Sequence, residues 1–396
     1  MSAIVDFGKA AMDSYSIEAY GKMIRDRVRT SAYANALRAV VRSHSAVLDI
    51  GTGTGILAFL ACRFGARRVY AIEPGEVIEL ARQAATANGF ADRIEFIQGI
   101  STEVNLPEKI DVIVSDIHGV LPACEKSLIS IMDARDRLLA PGGSLIPQQD
   151  TLWAALVHAP EAYGDLVEPW DSNGYGFDFQ AIRDKELNNL ARPRLNRDLM
   201  VSEPCCWGTI DYRTVSTPNL GGQAVWTLQR ATTVHGLAVW FDCQTTDGVT
   251  FSNLPGSRTE NAYGQALLPW SRPCELAPGD EVSVRIRIDS VGEDYVWGWN
   301  TDIIPGADTS RTRVSFRQST FLGAPLSPET LRKRARGFAP TVNQEGCIDR
   351  EILQQMAEGL SLDQIAQKVA TQFPRRFPTR QNALDRVADL SAKYSL

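Results

Sequence analysis

An acid and three glycines at alternate positions, Asp49-Ile50-Gly51-Thr52-Gly53-Thr54-Gly55, follow the apolar pair Val47-Leu48. About 20 residues on, Glu73 closes the run Arg68-Val69-Tyr70-Ala71-Ile72. This order reads as a buried strand, a glycine-rich turn where a cofactor can approach the backbone, and a helix whose first amides face it. An acid where Glu73 stands is placed to accept hydrogen bonds from both hydroxyls of a ribose. The pyrophosphate spacing Gly-x-Gly-x-x-Gly lacks its last member, because that position is Ile56. A dinucleotide is therefore disfavoured, and the chemistry indicated is that of an adenosyl cofactor, S-adenosylmethionine.

The elements that must hold these residues alternate. Ile56-Leu57-Ala58-Phe59-Leu60-Ala61 reads as the helix after the turn, and Arg93 to Ile97 and Ile110 to Asp116 as two further strands. Arg135 to Gly143 is a helix stop before another strand, so the pattern predicts a parallel sheet with helical crossovers. Residues from about 10 to 42 read as helical, with Tyr15, Tyr20, Met23, Ile24, Val28 and Tyr33 supplying an apolar side. After about Pro147 the pattern changes. Leu152–Val157, Thr209–Tyr212, Ala238–Asp242 and Val282–Ile288 are short strand runs between turn residues, which predicts a mostly β second domain. An insertion at roughly 163 to 200 is too long for an ordinary loop and reads as an arm or interface. From about 326 a third unit begins with the solvated linker Leu331–Arg336. A capping box at Ser361 to Gln364, then Ile365, Val369, Leu384, Val387 and Leu390 at helical spacing, predict a small helical bundle.

Bulk properties set the limits. A chain of 396 residues, 44% hydrophobic, can bury two or three cores. A net charge of −6 gives no broad footprint for a phosphate backbone, so no nucleic-acid partner is expected. The start, Met1 to Asp6, lacks a basic segment followed by an apolar one, and apolar stretches elsewhere are broken by charge. No membrane association and a cytoplasmic location are expected. Seven cysteines without metal-ligand spacing are read as reduced and structural, with no metal site.

Several separate segments resemble the protein arginine methyltransferases, a class I S-adenosylmethionine-dependent family. Ser14-Tyr15 with Met23 to Thr30 and Tyr33 is similar to the family's cofactor-covering helices, Val47 to Leu57 to its first nucleotide-binding motif, and Val69 to Glu73 to its second. Asn173 to Asp178 resembles the start of a dimerisation arm, and Gly236 to Asp242 a barrel strand. The likeness spans about residues 13 to 325. It implies a Rossmann-like class I methyltransferase domain, a β-barrel-like domain with a dimerisation arm, and a homodimer. The implied boundaries are 1–42 for the covering helices, 43–150 for the cofactor domain, and 151–325 for the barrel with its arm at about 163–200. Residues 326–396 form the linker and small helical unit, read as a packing or dimer-stabilising appendix.

The resemblance also assigns roles. Arg29 would pair with the cofactor's carboxylate, Asp49, Gly51 and Gly53 would shape the pocket for its methionine part, and Glu73 would hold the ribose. Thr102 or Glu103 would sit by the adenine edge, and Met23 would line the sulfonium. Tyr15, Tyr20 and Tyr263 would face the substrate. The family's active-site loop carries two glutamates nine residues apart that grip a guanidinium; here Asp116 replaces the first and Glu125 keeps the second. His118 stands in the same loop, while the family's Thr-His-Trp loop is matched by Asn261-Ala262-Tyr263-Gly264-Gln265 and has lost its histidine. The function implied is methyl transfer to a guanidine in a protein, a peptide or free arginine. Two alternatives stand beside it: an amine or hydroxyl acceptor with His118 as base, and a catalytically silent cofactor-binding relative acting through protein partners.

Overall fold

The helical stretch expected near the N-terminus breaks at Asp26 into α1 (Ile17–Arg25) and α2 (Arg27–Val40). Asp26 ends the first helix and caps the second, accepting from the Arg29 amide at 3.0 Å, which satisfies one of the free N–H groups of a helix start. Helix α2 buries Arg29, Ala32, Tyr33, Ala36 and Leu37, a single stripe at helical spacing, whereas α1 buries nothing fully. The structure is a computed structural model that describes residues 15–172, 174–256, 262–292, 294–306 and 312–395. Ser14, Asn173, Asn261 and the expected helical residues before Tyr15 lie outside the described residues.

Next come β1 (Ala46–Ile50), α3 (Ile56–Arg63), β2 (Arg68–Glu73), α4 (Ile78–Ala87), β3 (Ile94–Gln98), a 3₁₀ turn (Ser101–Glu103), β4 (Ile110–Ser115), α5 (Ser127–Arg137) and β5 (Leu139–Ile146). The five strands form one parallel sheet in the order β3-β2-β1-β4-β5. Central β1 is buried at every position, which is why its sequence is a continuous apolar run around Asp49. Strand order reverses between β1 and β4, and in open sheets of this kind the ligand crevice lies at that reversal, beyond the carboxyl ends of the strands. The glycine turn, Glu73, the Ser101–Glu103 turn and the loop from Asp116 all lie at that edge. The expected helix stop is shorter than its sequence: α5 ends at Arg137 and β5 already starts at Leu139, with Pro141-Gly142-Gly143 absorbed in a register shift against β4.

The antiparallel part comprises β6 (Gln149–Val157), α6 (Pro160–Asp171), α7 (Gln180–Glu186), β7 (Cys205–Asp211), β8 (Leu220–Thr227), β9 (Thr232–Thr246), β10 (Val249–Ser252), β11 (Ala266–Leu276), β12 (Glu281–Val291), β13 (Asp294–Ile304), β14 (Val314–Ser319) and the short α8 (Thr320–Gly323). One sheet runs β10-β9-β6-β7 with β11 also paired to β9, and the other runs β14-β13-β12-β8. Among the described residues no strand pairing joins the two, so the expected β-barrel is corrected to two packed antiparallel sheets without closure. They share one core, with Trp207 of β7 edge-on to Trp297 of β13 and Trp270 of β11 against Phe316 of β14. The insertion after β6 holds α6 and α7, joined by contacts of Phe179 with Trp170 and Phe177, while Tyr175 and Phe177 stay exposed.

The chain forms two compact units, the first ending at Leu326 and the second beginning at Ser327. The second contains α9 (Pro328–Lys333), α10 (Gln344–Ala357), α11 (Leu362–Gln372) and α12 (Arg380–Tyr394). Its core is Ile348, Ile352, Ile365, Ala366, Val369, Phe377, Ala383, Val387 and Leu390. The capping box forms, with the Ser361 amide donating to Gln364 Oε1 at 3.0 Å and the Gln364 amide returning to Ser361 Oγ at 3.4 Å. Among the described residues no helix is long and apolar enough to cross a membrane.

Candidate active site

The glycine turn is held from below by Asp49. Its Oδ2 accepts from the Thr52 hydroxyl at 2.6 Å and from the Ala58 amide at 3.0 Å, bracing the start of α3. Burial pushes the Asp49 carboxyl up to about 7, against the pull of those two hydrogen bonds. Above the turn, a Cβ on Gly51 would come within 2.5 Å of Ile117, and one on Gly53 within 2.9 Å of the Tyr20 ring; both glycines have positive φ. Only glycine permits this close approach of the covering helix and the β4 loop. Glu73 is clamped by the backbone, accepting from Gly53 N at 3.0 Å and Gly75 N at 2.9 Å.

This edge also carries buried polar atoms that lack a partner among the described residues: Asp49 Oδ1, Ser101 Oγ, Ser115 Oγ and Arg29 Nε. Unpaired buried polar groups are costly, and a cluster of them around one crevice marks where a polar ligand completes the structure. Thr102 and Glu103 lie in the 3₁₀ turn beyond β3, half-buried and exposed respectively. The donor and acceptor set fits a cofactor with a carboxylate, a ribose and an adenine edge.

Around Asp116 the structure converges. The Arg29 guanidinium forms an ion pair with Asp116 Oδ2, both side chains being under 10% exposed, and donates to the Met23 carbonyl at 2.5 Å. Arg29, assigned above to the cofactor's carboxylate, is thus engaged within the protein at both terminal nitrogens, and only Nε is left over. The Tyr263 hydroxyl donates to Asp116 Oδ1, as does the more distant Tyr33 hydroxyl at 3.4 Å. Burial works to raise the Asp116 carboxyl, but Arg29, then His118 and Tyr263, outweigh it and hold it at about 2.

His118 is not the free loop base that its position allowed. Its Nε2 lies 2.8 Å from Asp150 Oδ2, its Nδ1 lies 3.6 Å from Asp116 Oδ1, and its ring stacks on Phe241 at 5.1 Å. Burial pulls its pKa down, yet Asp150 and Asp116 push it up to about 10. The two carboxylates favour the charged ring, and a ring that carries both protons has no lone pair to take another, which counts against the base role weighed for it. Asp150 is completely buried and also accepts from the Tyr212 hydroxyl. Cys243 completes a trio with His118 and Asp150 whose polar atoms lie within 4.8 Å of one another.

Glu125 differs from Asp116 in being exposed. Burial, then Asp294 and Glu73, raise its pKa, which brings it into the same electrostatic neighbourhood as the ribose-site acid. Burial, then Glu73, raise the Tyr20 phenol, and burial, then Cys124 and Glu125, raise that of Tyr15, so each covering tyrosine stands within electrostatic reach of a carboxylate. The loop backbone is strained: Ala123 and Glu125 are non-glycine residues at φ of 68° and 48°. Asn253, fully buried, ties this loop to the one after it by donating to the Val120 and Gly264 carbonyls, each at 2.9 Å. Asp26 accepts from Ala262 N at 2.8 Å, which anchors Tyr263 beside the covering helices. Asp26, Asp150, Tyr212, Cys243 and Asn253 escaped the sequence reading. For Asp150 and Asn253 the one available signal was a lone charged or amide residue in or beside an otherwise apolar strand run, and Asp26, Tyr212 and Cys243 offered none.

Comparison with known proteins supplies the context. Residues 29–147 match the family described as ribosomal protein L11 methyltransferase, and residues 148–294 the arginine methyltransferase oligomerization subdomain. The chain is 32% identical over 283 residues to protein arginine N-methyltransferase 1 of Dictyostelium discoideum, covering 68% of this chain and 82% of that one. It is 33% identical over 268 residues to protein arginine N-methyltransferase 1 of Schizosaccharomyces pombe, covering 64% and 78%. Among solved structures, Arabidopsis thaliana protein arginine methyltransferase 10 is similar with a TM-score of 0.65 and 25% identity, over 76% of this chain and 97% of that one. The Trypanosoma brucei PRMT1 enzyme-prozyme heterotetrameric complex with AdoHcy shares the fold, with a TM-score of 0.68 at 24% identity, over 77% and 98%.

Proposed function

The chain belongs to the protein arginine N-methyltransferase family, and on that premise we propose that it methylates a guanidine nitrogen of arginine in a protein, a peptide or the free amino acid. The observation that supports the reading is that Asp116 and Glu125 stand on one loop at the strand-order reversal, with Glu73 close enough to help raise the Glu125 pKa. S-adenosylmethionine, when bound, supplies an electrophilic methyl group on a sulfonium. Glu73, Asp49, Gly51 and Gly53 would hold it, with Arg29 Nε, Ser101 and the Thr102–Glu103 turn as further contacts and Met23 near the sulfonium.

Methyl transfer is an in-line displacement, so fixing the attacking nitrogen accounts for much of the rate. A guanidinium offers five donors in a rigid fork and stays charged below pH 12 or so. Glu125, the exposed carboxylate of the loop, accepts from that fork, and its raised proton affinity suits it to receive the proton the attacking nitrogen sheds. Asp116 acts through its charge, because its two oxygens already accept from Arg29 and Tyr263. Tyr15 and Tyr20 would border the acceptor. A base mechanism through His118 gains no support from a ring already bonded to Asp150.

We further assign the cofactor domain to 43–150 and the antiparallel domain to 151–325. The arm at about 163–200 would form a homodimer, supported by its exposed Tyr175 and Phe177 and by the oligomerization-subdomain match. The seven cysteines, all free, favour a reducing compartment such as the cytoplasm. The test is incubation with labelled S-adenosylmethionine and arginine peptides or free arginine, read by mass spectrometry. Methylated arginine is the expected product. Cofactor binding without transfer to any arginine acceptor would leave the silent-relative reading in its place.

A further inference from the structure

Four buried ionisable side chains lie in a row beneath the acceptor loop: Arg29 of α2, Asp116 and His118 of the loop, and Asp150 of β6. Arg29 pairs with Asp116, Asp116 Oδ1 lies 3.6 Å from His118 Nδ1, and His118 Nε2 lies 2.8 Å from Asp150 Oδ2. The His118 ring is only 3% exposed and is fixed in plane by its stack on Phe241. We propose that His118 is a positioning residue that ties Asp116 to Asp150 and so fixes the loop carboxylates against the antiparallel sheet.

The geometry favours a charged ring. Nε2 hydrogen-bonds to Asp150, whereas Nδ1, 3.6 Å from Asp116 Oδ1, has no hydrogen-bond partner among the described residues and meets that carboxylate through charge, which the ring supplies only when it carries both protons. A neutral ring would turn a lone pair toward a buried carboxylate, which costs free energy in a low-dielectric site. The other groups around the ring are Tyr212, whose hydroxyl lies 3.4 Å from Nε2, Tyr263 edge-on at 5.8 Å, and the Cys243 thiol. Burial pushes both phenols well above 10 and the thiol well above 9, so none of them supplies a competing charge near neutral pH. Asp116 is a methylene shorter than the glutamate the family carries there. The structure holds it from three sides, by Arg29, Tyr263 and His118, instead of by reach.

The kinetic part of this inference rests on the arginine-methylation reading, and the spectroscopic part does not. In the full-length wild-type protein without acceptor, histidine-selective ¹⁵N NMR reads the ring directly, with His118→Gln identifying its signals among four histidines. A ring that stays doubly protonated from pH 6 to 9 is expected, and one that titrates near 6.5 overturns the proposal whatever the acceptor. With S-adenosylmethionine and an arginine peptide, His118→Gln should lose at least tenfold in kcat while cofactor Kd changes less than twofold. The wild-type rate should fall above about pH 9 to 10, and that limb should be absent from His118→Gln. Asp150→Asn should lose a similar factor, and the double variant much less than the product of the two losses. Wild-type turnover in His118→Gln, or an unchanged alkaline limb, overturns the positioning role. If the ring is protonated but no arginine is methylated by wild type, the functional reading fails and the tie itself stands.

Discussion

Replacing Asp116 with asparagine keeps the shape of the loop and removes one buried charge. The Arg29 side chain is 9% exposed and would then be left with an amide in place of its counter-ion. Two independent routes give the size of the loss. The fall of the Asp116 pKa from an ordinary 3.8 to about 2 corresponds to roughly 2 to 3 kcal/mol, and breaking a buried ion pair by removing one partner costs about 3–5 kcal/mol. An asparagine still offers Arg29 an oxygen, so about 3 kcal/mol is expected. All eight tryptophans precede residue 300, so their fluorescence in urea follows the first unit without interference from the helical one. The sign with pH also follows. A carboxylate whose folded pKa is depressed contributes fully above its unfolded value, and the contribution is lost as pH falls through the folded one. The gap between wild type and Asp116→Asn should therefore be complete above about pH 5, shrink below 3.8 and close toward pH 2. Removing Arg29 as well, as Arg29→Met with Asp116→Asn, should recover part of the loss. A single variant within 1 kcal/mol of wild type at pH 7, or a double variant as unstable as the two singles combined, would refute the account.

Three other outcomes are expected. Glu73→Ala should weaken S-adenosylmethionine binding at least tenfold by calorimetry, since hydrogen bonds to a charged acceptor contribute about 1.5–3 kcal/mol each; unchanged affinity in a folded variant removes the ribose assignment. Glu125→Gln should cut turnover on arginine peptides by about a hundredfold with cofactor affinity nearly constant, because the lost contact belongs to the acceptor; a loss confined to cofactor Kd would contradict it. Light scattering of the intact protein at micromolar concentration should give a dimer, and deletion of about 165–195 a monomer. An intact monomer speaks against the arm's role.

The parallel half was legible because its signals are local. Val47, Leu48 and Ile50 are apolar since β1 is buried throughout, and the turn glycines have a steric reason visible in their alternation. Much of the antiparallel half was missed. Tyr295, Trp297, Trp299, Thr301 and Ile303 alternate inward along β13, a period-two pattern that aromatic and glycine neighbours obscured. Strand β11 carries Pro269 and Pro273, residues that remove ladder donors, and the register shift between Pro269 and Cys274 accommodates them. The site divides in the same way. Asp116 and Glu125 are nine positions apart on one loop and could be found through the family resemblance, which carries two acids at that separation. The partners that decide what His118 can do are Asp150, Tyr212 and Phe241, which only the sheet pairings bring to it from 32 to 123 positions away.

The row Arg29, Asp116, His118, Asp150 sums to zero charge, and its members sit on three separate stretches of chain. Drift at any one of them alone strands an unbalanced charge in the interior, so these sites are not independent in evolutionary terms. Lineages that exchange His118 for an uncharged side chain should also have lost the carboxylate at position 150, or regained a cation nearby. The loop can therefore diversify in concerted steps and not by single substitutions. Covariation between positions 118 and 150 across divergent relatives would be the historical trace of that constraint.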